Sequence, residues 1–129
     1  MSAIHHRKLP EHWAVLCGQN PPDDLGFKTD RLQIIYNCTS APWTDEAAHA
    51  HSESDEVYIV LEGAMAIAIS GRTVSVQAGE VLCVPAGTVH QLVDVTTPVK
   101  SFVIRSPSVN DKLAATVEGS PPMRGQEPQ

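Results

Sequence analysis

The chain has 129 residues, the length of one ordinary domain. Its formal net charge is −6 and it contains no extended basic run, which argues against binding to a nucleic-acid backbone. No apolar stretch reaches the roughly 18 residues of a membrane span, and no signal peptide is expected, because the charged N-terminus lacks a following apolar segment. Three cysteines at no motif spacing are typical of reduced thiols, so we expect a cytoplasmic protein.

Residues 1–30 are predicted to form an N-terminal arm and loop. Within them only residues 13–17 have the composition of a short strand, and residues 18–26 are dense in turn formers. The first clear strand is predicted at residues 31–38, where β-branched and aromatic residues are bounded by polar ones. A loop follows, and its Trp43 has two interpretations that stay open: it lines the mouth of a pocket, or it packs beneath the loop.

The segment after that loop has the pattern of a metal site. His49 and His51 are one residue apart, so in a strand they share a face with their Cα atoms roughly 7 Å apart. Two imidazoles at that separation can chelate one ion, and Glu56 can reach the same point from a neighbouring strand. These donors suit Fe, Mn, Co, Ni or Zn better than Ca or Mg. Taken alone, the His-x-His pattern is equally typical of solvated histidines in a polar loop.

The run of residues 57–61 is apolar on both faces. Counting in twos from Glu56 places Tyr58 on the same face as the candidate ligands, and Val57, Ile59 and Leu61 on the other. A strand that is apolar on both sides must be covered on both sides. The outer side would need a second sheet or another subunit, which predicts a homodimer.

The rest of the chain alternates short strands with turns. Strands are predicted at residues 64–70, 73–77, 81–84 (a buried one), 89–95 and 99–105, with turns that include residues 62–63 and 96–98. Short strands at this spacing without helical periodicity are typical of an all-β sandwich or barrel. We therefore expect a barrel domain over residues 31–105. Residues 106–129 predict a partly disordered C-terminal tail, with one or two helical turns at 109–115.

Two separated blocks of the sequence resemble the paired motifs of the cupin superfamily. The first block has the pattern His-x-His-x4-Glu-x6-Gly, with His49, His51, Glu56 and Gly63 at the fixed positions. The second has Gly-x5-Pro-x-Gly-x2-His, with Gly79, Pro85, Gly87 and His90. The chain departs from the family at Trp43, often a glycine there, and at Asp94, often an asparagine, and neither departure affects a ligand. The resemblance covers residues 30–105.

This resemblance implies a fold and a ligand set. The fold is a cupin-type double-stranded β-helix, or jelly-roll barrel, and the family also points to a homodimer. The ligand set is His49, His51, Glu56 and His90, which would hold one divalent transition metal (Fe, Mn, Ni, Co or Zn). Four protein ligands leave two octahedral positions open, and open positions are typical of catalytic rather than structural metal sites. By closeness in sequence, Glu53, Asp55 and Gln91 are the candidates to orient the imidazoles; the other interpretation of each is a solvated polar residue.

The predicted function is that of a metal-dependent enzyme acting on a small polar or anionic metabolite. A divalent ion with one carboxylate ligand keeps a residual positive charge and favours anionic oxygens, so dioxygenase, isomerase and lyase chemistry all fit. The alternative is a non-catalytic protein that binds a small ligand through its metal. Tyr58 is the candidate catalytic acid or base; the other interpretation is a core aromatic with a bonded hydroxyl group.

Overall fold

A computed structural model describes residues 4–22 and 25–114, and all regular structure in those ranges is β-strand. In chain order the strands are β1 (Ala14–Gly18), β2 (Phe27–Lys28), β3 (Gln33–Thr39), β4 (His49–His51), β5 (Asp55–Ile69), β6 (Arg72–Gln77), β7 (Val81–Val84), β8 (His90–Ser106) and β9 (Lys112–Ala114). The predicted all-β class is therefore confirmed. The division of the chain at residues 30 and 105 stays a prediction.

Two long antiparallel strands organise the sheet. β5 runs beside β8 from the pair Asp55–Ser106 to the pair Ile69–His90. β8 also pairs with β3 and β4, and β5 also pairs with β6 and β7. Neighbouring strands are hydrogen-bonded in the order β2-β1-β3-β8-β4-β9, so β9 lies at one end of this row, beside β4. This arrangement is that of the cupin jelly roll, and it brings the starts of β4, β5 and β8 together.

The segments predicted as turns at residues 62–63 and 96–98 lie inside these long strands. The pairing of β5 with β8 shifts register on both sides of Glu62, so the chain bulges there and does not reverse. Gly63 has φ of +76°, and a Cβ atom on it would lie 2.3 Å from the carbonyl oxygen of Thr96 and 2.5 Å from that of Pro98. A glycine is required because the two backbones touch at the bulge.

The predicted alternation along residues 56–61 is confirmed. Tyr58 and Val60 are buried with Glu56 on the inner face, whereas Val57 and Ile59 are half-buried and Leu61 is exposed. Inside the barrel the side chains with the least exposure include Val60, Met65, Ile67, Val84 and Val99. Burial of such aliphatic groups is the main stabilising contribution to a domain of this size.

Two local predictions are wrong. The strand at residues 81–84 was expected to be buried, but Val81 is 59% exposed and Cys83 is also exposed. The helical turns expected at residues 109–115 are replaced by β9, which pairs with β4; residue 115 lies outside the described residues. Neither outcome can be predicted from the local pattern, because β9 depends on its pairing with β4 and the exposure of Val81 depends on what covers the outer face of the sheet.

All three cysteines are unpaired thiols. Among the described residues no helix has the length and apolar character needed to cross a membrane. The cytoplasmic location stays a prediction.

Candidate metal centre

Three strands bring four buried side chains to one point. β4 carries His49 and His51, Glu56 lies at the start of β5, and His90 begins β8 directly opposite His49. The imidazole centroid of His49 lies 5.2 Å from that of His51 and 4.5 Å from that of His90. Each residue offers a nitrogen or oxygen atom that lies within 4.8 Å of the other three. These residues, called the His₃Glu cluster below, could therefore hold a metal ion.

Hydrogen bonds at Nδ1 orient the three imidazoles. His90 Nδ1 lies 2.9 Å from the carbonyl oxygen of Thr88, and His49 Nδ1 lies 3.4 Å from that of Ala47. His51 Nδ1 lies 3.1 Å from Oδ1 of Asp111. Because carbonyl and carboxylate oxygens only accept, each Nδ1 carries the proton and donates. Nε2 is then the nitrogen left for a cation, which is the usual arrangement around a metal-binding histidine.

Asp111 is the functional residue that the sequence did not reveal. Its carboxylate accepts a hydrogen bond from Nδ1–H of His51 and one from each backbone N–H of Glu53 and Ser54, the latter two at 2.8 Å. Asp111 therefore ties the segment before β9 to the turn between β4 and β5. No motif marks this aspartate, since it lies in a stretch predicted to be tail. Its role depends on the pairing of β9 with β4.

The residues expected to orient the imidazoles make other contacts. Asp55 accepts the backbone N–H of Ala86 at 3.0 Å, and Gln91 donates its amide to the carbonyl oxygen of Asp45 at 3.3 Å. Glu53 reaches the site only through its backbone N–H. None of these contacts orients an imidazole, because closeness in sequence does not place two side chains on the same face of a strand; the exposure of Glu53 and Asp55 agrees with the interpretation as solvated residues.

Glu56 is the electrostatic centre of the cluster. Its Oε1 lies 2.7 Å from Nε2 of His90, and its Oε2 lies 3.6 Å from Nε2 of His51 and from Nε of Arg105. Burial acts to raise the pKa of this carboxyl, but the hydrogen bond to His90 and the nearby cationic groups outweigh burial and lower the pKa to about 2. The carboxylate is therefore charged at any physiological pH.

The histidines differ in their protonation. Burial lowers the pKa of His49 to about 3, and the charge of His90 acts in the same direction. Burial also lowers the pKa of His51, against the opposing effect of Glu56. For His90, burial acts to lower the pKa, but the hydrogen bond to Glu56 outweighs it and raises the pKa. A cation and the His90 proton therefore compete for the same donor atoms.

Tyr58 lies beside the cluster. Its hydroxyl group donates to Oε1 of Glu56 at 3.2 Å, and its side chain is buried in the core. Burial raises the pKa of this phenol well above its usual value, and the charge of Glu56 adds to the effect. The hydroxyl stays protonated at neutral pH, so it can donate a proton or a hydrogen bond. The structure thus contains the bonded core aromatic, and the catalytic role stays a prediction.

A cavity of about 750 Å³ opens onto the cluster. Its wall includes His49, His51, Glu56 and Tyr58 from the site and Trp43 from the loop before β4. Trp43 also packs against the hydrophobic core, so both interpretations of this residue hold. A volume of this size is that of a pocket for a small molecule.

The donor set fits a transition metal. Three imidazoles that present Nε2, once His90 gives up the proton it shares with Glu56, form with one charged carboxylate a set of ligands that suits Fe, Mn, Co, Ni and Zn better than Ca and Mg. The donors are buried and close together, and each Nδ1 is held by an acceptor. The residues present therefore fit the metal that the fold family implies.

Comparisons with solved structures show the fold. An uncharacterized protein with a double-stranded β-helix domain from Klebsiella pneumoniae superposes with a TM-score of 0.62 at 15% identity, over 86% of this chain and 85% of that one. A Streptomyces Pac13 variant with uridine gives 0.60 at 14% identity, over 72% and 75%, and Pac13 is described as a nucleoside dehydratase. The DMSP lyase DddQ from Ruegeria pomeroyi gives 0.57 at 19% identity, over 84% and 53%.

Comparisons of sequence point to the same family. An uncharacterized protein of Streptomyces coelicolor is 34% identical over 64 residues, which make up 50% of this chain and 60% of that protein. The chain thus spans less than two thirds of the length of that relative. The cupin domain model matches residues 37–105, which is just over half of the chain and includes all four residues of the His₃Glu cluster. The chain belongs to the cupin family.

Proposed function

We propose that the protein is a metal-dependent enzyme acting on a small polar or anionic metabolite, with His49, His51, Glu56 and His90 as the metal ligands. The observation that carries this proposal is the buried His₃Glu cluster at the wall of an open cavity. A cluster that only stabilised the fold would not need access to a cavity of about 750 Å³. The metal is one divalent ion of Fe, Mn, Ni, Co or Zn.

When bound, the metal would act as a Lewis acid that polarises an oxygen of the substrate. The chain's own groups have separate roles. Glu56 brings one negative charge to the ligand set, while Thr88, Asp111 and Ala47 hold the imidazoles in orientation. Tyr58 supplies a protonated hydroxyl beside Glu56 at the cavity wall, so it could donate to a substrate oxygen as negative charge develops there.

Two of the solved structures with similar folds are described as enzymes, which supports catalysis over simple binding. Pac13 is described as a nucleoside dehydratase and DddQ as a DMSP lyase. These two activities support a lyase-type reaction here, including dehydration, beside the isomerase and dioxygenase types that the ligand set also fits. The competing function is metal-dependent binding of a small ligand without turnover.

The two functions predict different outcomes for purified protein. We expect the parent to retain a transition metal and to convert at least one compound from a panel of sugar acids, diketones, phenols and small carboxylates. Oxygen uptake and mass spectrometry of the products identify the reaction.

We expect Tyr58→Phe to keep its metal and to lower kcat by about 100-fold, the usual contribution of a positioned proton donor.

His90→Ala serves as the reference variant without the metal. A parent that retains metal and binds panel members without converting any of them would support the binding function. A parent that takes up no transition metal would end the proposal. If Tyr58→Phe turns over as fast as the parent, Tyr58 is a core residue only.

We also propose that the protein is a homodimer, with the outer face of the sheet as the interface. A row of apolar side chains crosses three strands there, from Val81 on β7 through Ile59 on β5 to Phe102 on β8, each directly opposite the next. Leu61 extends this face and is 49% exposed. Contiguous apolar patches of this kind are typical of subunit interfaces.

The mass in solution tests the dimer. Sedimentation equilibrium is expected to give twice the chain mass of 13.9 kDa, and Val81→Lys is expected to shift the protein toward monomer, because it buries a charge in the interface. Ser52→Lys, which adds the same charge in the exposed turn between β4 and β5, is the control for a change of surface charge. A parent that stays monomeric throughout the micromolar range contradicts the proposal.

A further inference from the structure

The pairing of β9 with β4 brings a lysine, Lys112, to the cavity. β9 pairs with β4 in antiparallel register, and Lys112 lies directly opposite His51. Directly opposite residues in such a pair share a face of the sheet, with Cβ atoms about 5 Å apart. His51 faces the cluster, so the Lys112 side chain starts from the same face, and it lines the cavity.

The charged groups that act on Lys112 belong to the same cavity wall. The charged groups that act on it are Asp45, Arg105, Glu56 and Glu46, and all four line the cavity. Lys112 is half-buried, and burial lowers its pKa while Asp45 opposes that effect. Within residues 4–22 and 25–114, no carboxylate lies within 4.0 Å of this ammonium. A lysine that only covered the wall with its stem would place its charge in water instead.

A second cation lies on the same wall. Arg105 comes from the end of β8, is 8% exposed, and lines the cavity next to Glu56. Arg105 stays positively charged at any working pH. The ion pair with Glu56 fixes its place beside the His₃Glu cluster. The cavity thus has one cation from β8 and one from β9, in addition to any metal.

We propose that Lys112, assisted by Arg105, forms an anion-binding subsite beside the metal centre. The ligand would then carry two features: an oxygen donor that reaches the metal and a separate carboxylate, or a similar anionic group, that pairs with Lys112. Small dicarboxylates and carboxylates with a second oxygen donor fit this description. The proposal rests on the proposed function, which supplies the metal that binds the oxygen donor of the ligand. It adds a binding site for the separate anionic group.

Binding of matched probes by zinc-loaded protein tests the subsite. The probes are succinate and malonate and their monoamides, which keep one carboxylate and replace the other with a neutral amide. Zinc is redox-inert, and both tryptophans of the chain, Trp13 and Trp43, line the cavity, so intrinsic fluorescence reports binding without any turnover. The variants are Lys112→Met, which removes the charge, and Lys112→Arg, which keeps it. Lys100→Met is the matched control, since Lys100 is exposed and pairs with Glu62 outside the cavity.

We expect the parent to bind the dicarboxylates about tenfold more tightly than the monoamides, the size of one charged hydrogen bond. Lys112→Met should lose that preference, and Lys112→Arg and Lys100→Met should keep it. A parent without the preference, or a Lys112→Met variant that retains it, overturns the subsite.

A separate measurement of zinc affinity, by competition with a chelator, keeps the two proposals apart. We expect Lys112→Met to bind zinc as the parent does. If the parent takes up no zinc, the metal proposal fails, and the same titration on that protein still decides the subsite. If zinc binds and the charge preference is missing, the subsite fails and the metal proposal stands.

Discussion

Glu56→Gln is expected to lose metal uptake and, with it, the stabilisation that the metal provides. For the parent, a metal present at a thousand times its Kd adds about 4 kcal/mol to the free energy of unfolding, which raises Tm by about 15 °C for a chain of this length. The glutamine variant keeps the shape of the side chain but removes the negative charge of the ligand set. Calorimetry with and without Co²⁺ measures the rise in Tm, and competition with a chelator measures the affinity.

Glu62→Gln is the control for this experiment. Glu62 lies on the same strand, but its side chain is 49% exposed and pairs with Lys100. The Glu62→Gln variant should therefore show the same metal-dependent rise in Tm as the parent. A Glu56→Gln variant that takes up Co²⁺ as tightly as the parent would show that the carboxylate is not a ligand, and that its hydrogen bonds to His90 and Tyr58 are structural.

Gly63→Ala should have the largest effect on the metal-free fold. Positive φ costs a residue with a Cβ atom about 1–2 kcal/mol, and the new methyl group would also collide with the carbonyl oxygens of Thr96 and Pro98. These are backbone atoms in a paired strand, so they cannot move aside cheaply. We expect a loss of about 3 kcal/mol or more in the free energy of unfolding, measured by urea denaturation of metal-free protein.

Gly71→Ala separates the two causes. Gly71 also has a positive φ, of +77°, but a Cβ atom on it would meet nothing within 4 Å. The free energy of unfolding of Gly71→Ala should fall only by the cost of a positive φ, about 1–2 kcal/mol. If the two variants are equally destabilised, the methyl group at position 63 does not collide with β8, and the close approach of the two strands does not require a glycine.

The sequence was sufficient for the parts of the site that depend on strand alternation. His49 and His51 share a face because they are two residues apart, and Tyr58 shares a face with Glu56 for the same reason. The position of His90 opposite His49 could not come from alternation, and only the resemblance to the cupin motifs predicted that it joins the cluster. The class of the fold followed from short alternating strands and turn residues.

The sequence was insufficient wherever a distant strand decides the outcome. Glu62–Gly63 has the composition of a turn, but β8 lies alongside and makes it a bulge. Asp111 and Lys112 lie in a stretch without strong periodicity, and only pairing with β4 brings them to the site. The exposure of Val81 depends on what covers the outer face, and its apolar character alone cannot show that.

The position of β9 has a consequence for how ligand preference can change in this protein. The candidate ligands all lie within residues 37–105, the part that matches the cupin domain, whereas Lys112 lies beyond it. Substitutions in β9 would therefore change which ligand the cavity accepts and leave the four candidate metal ligands unaltered. Ligand preference and metal binding would then be determined by separate parts of the sequence, so one could change without the other.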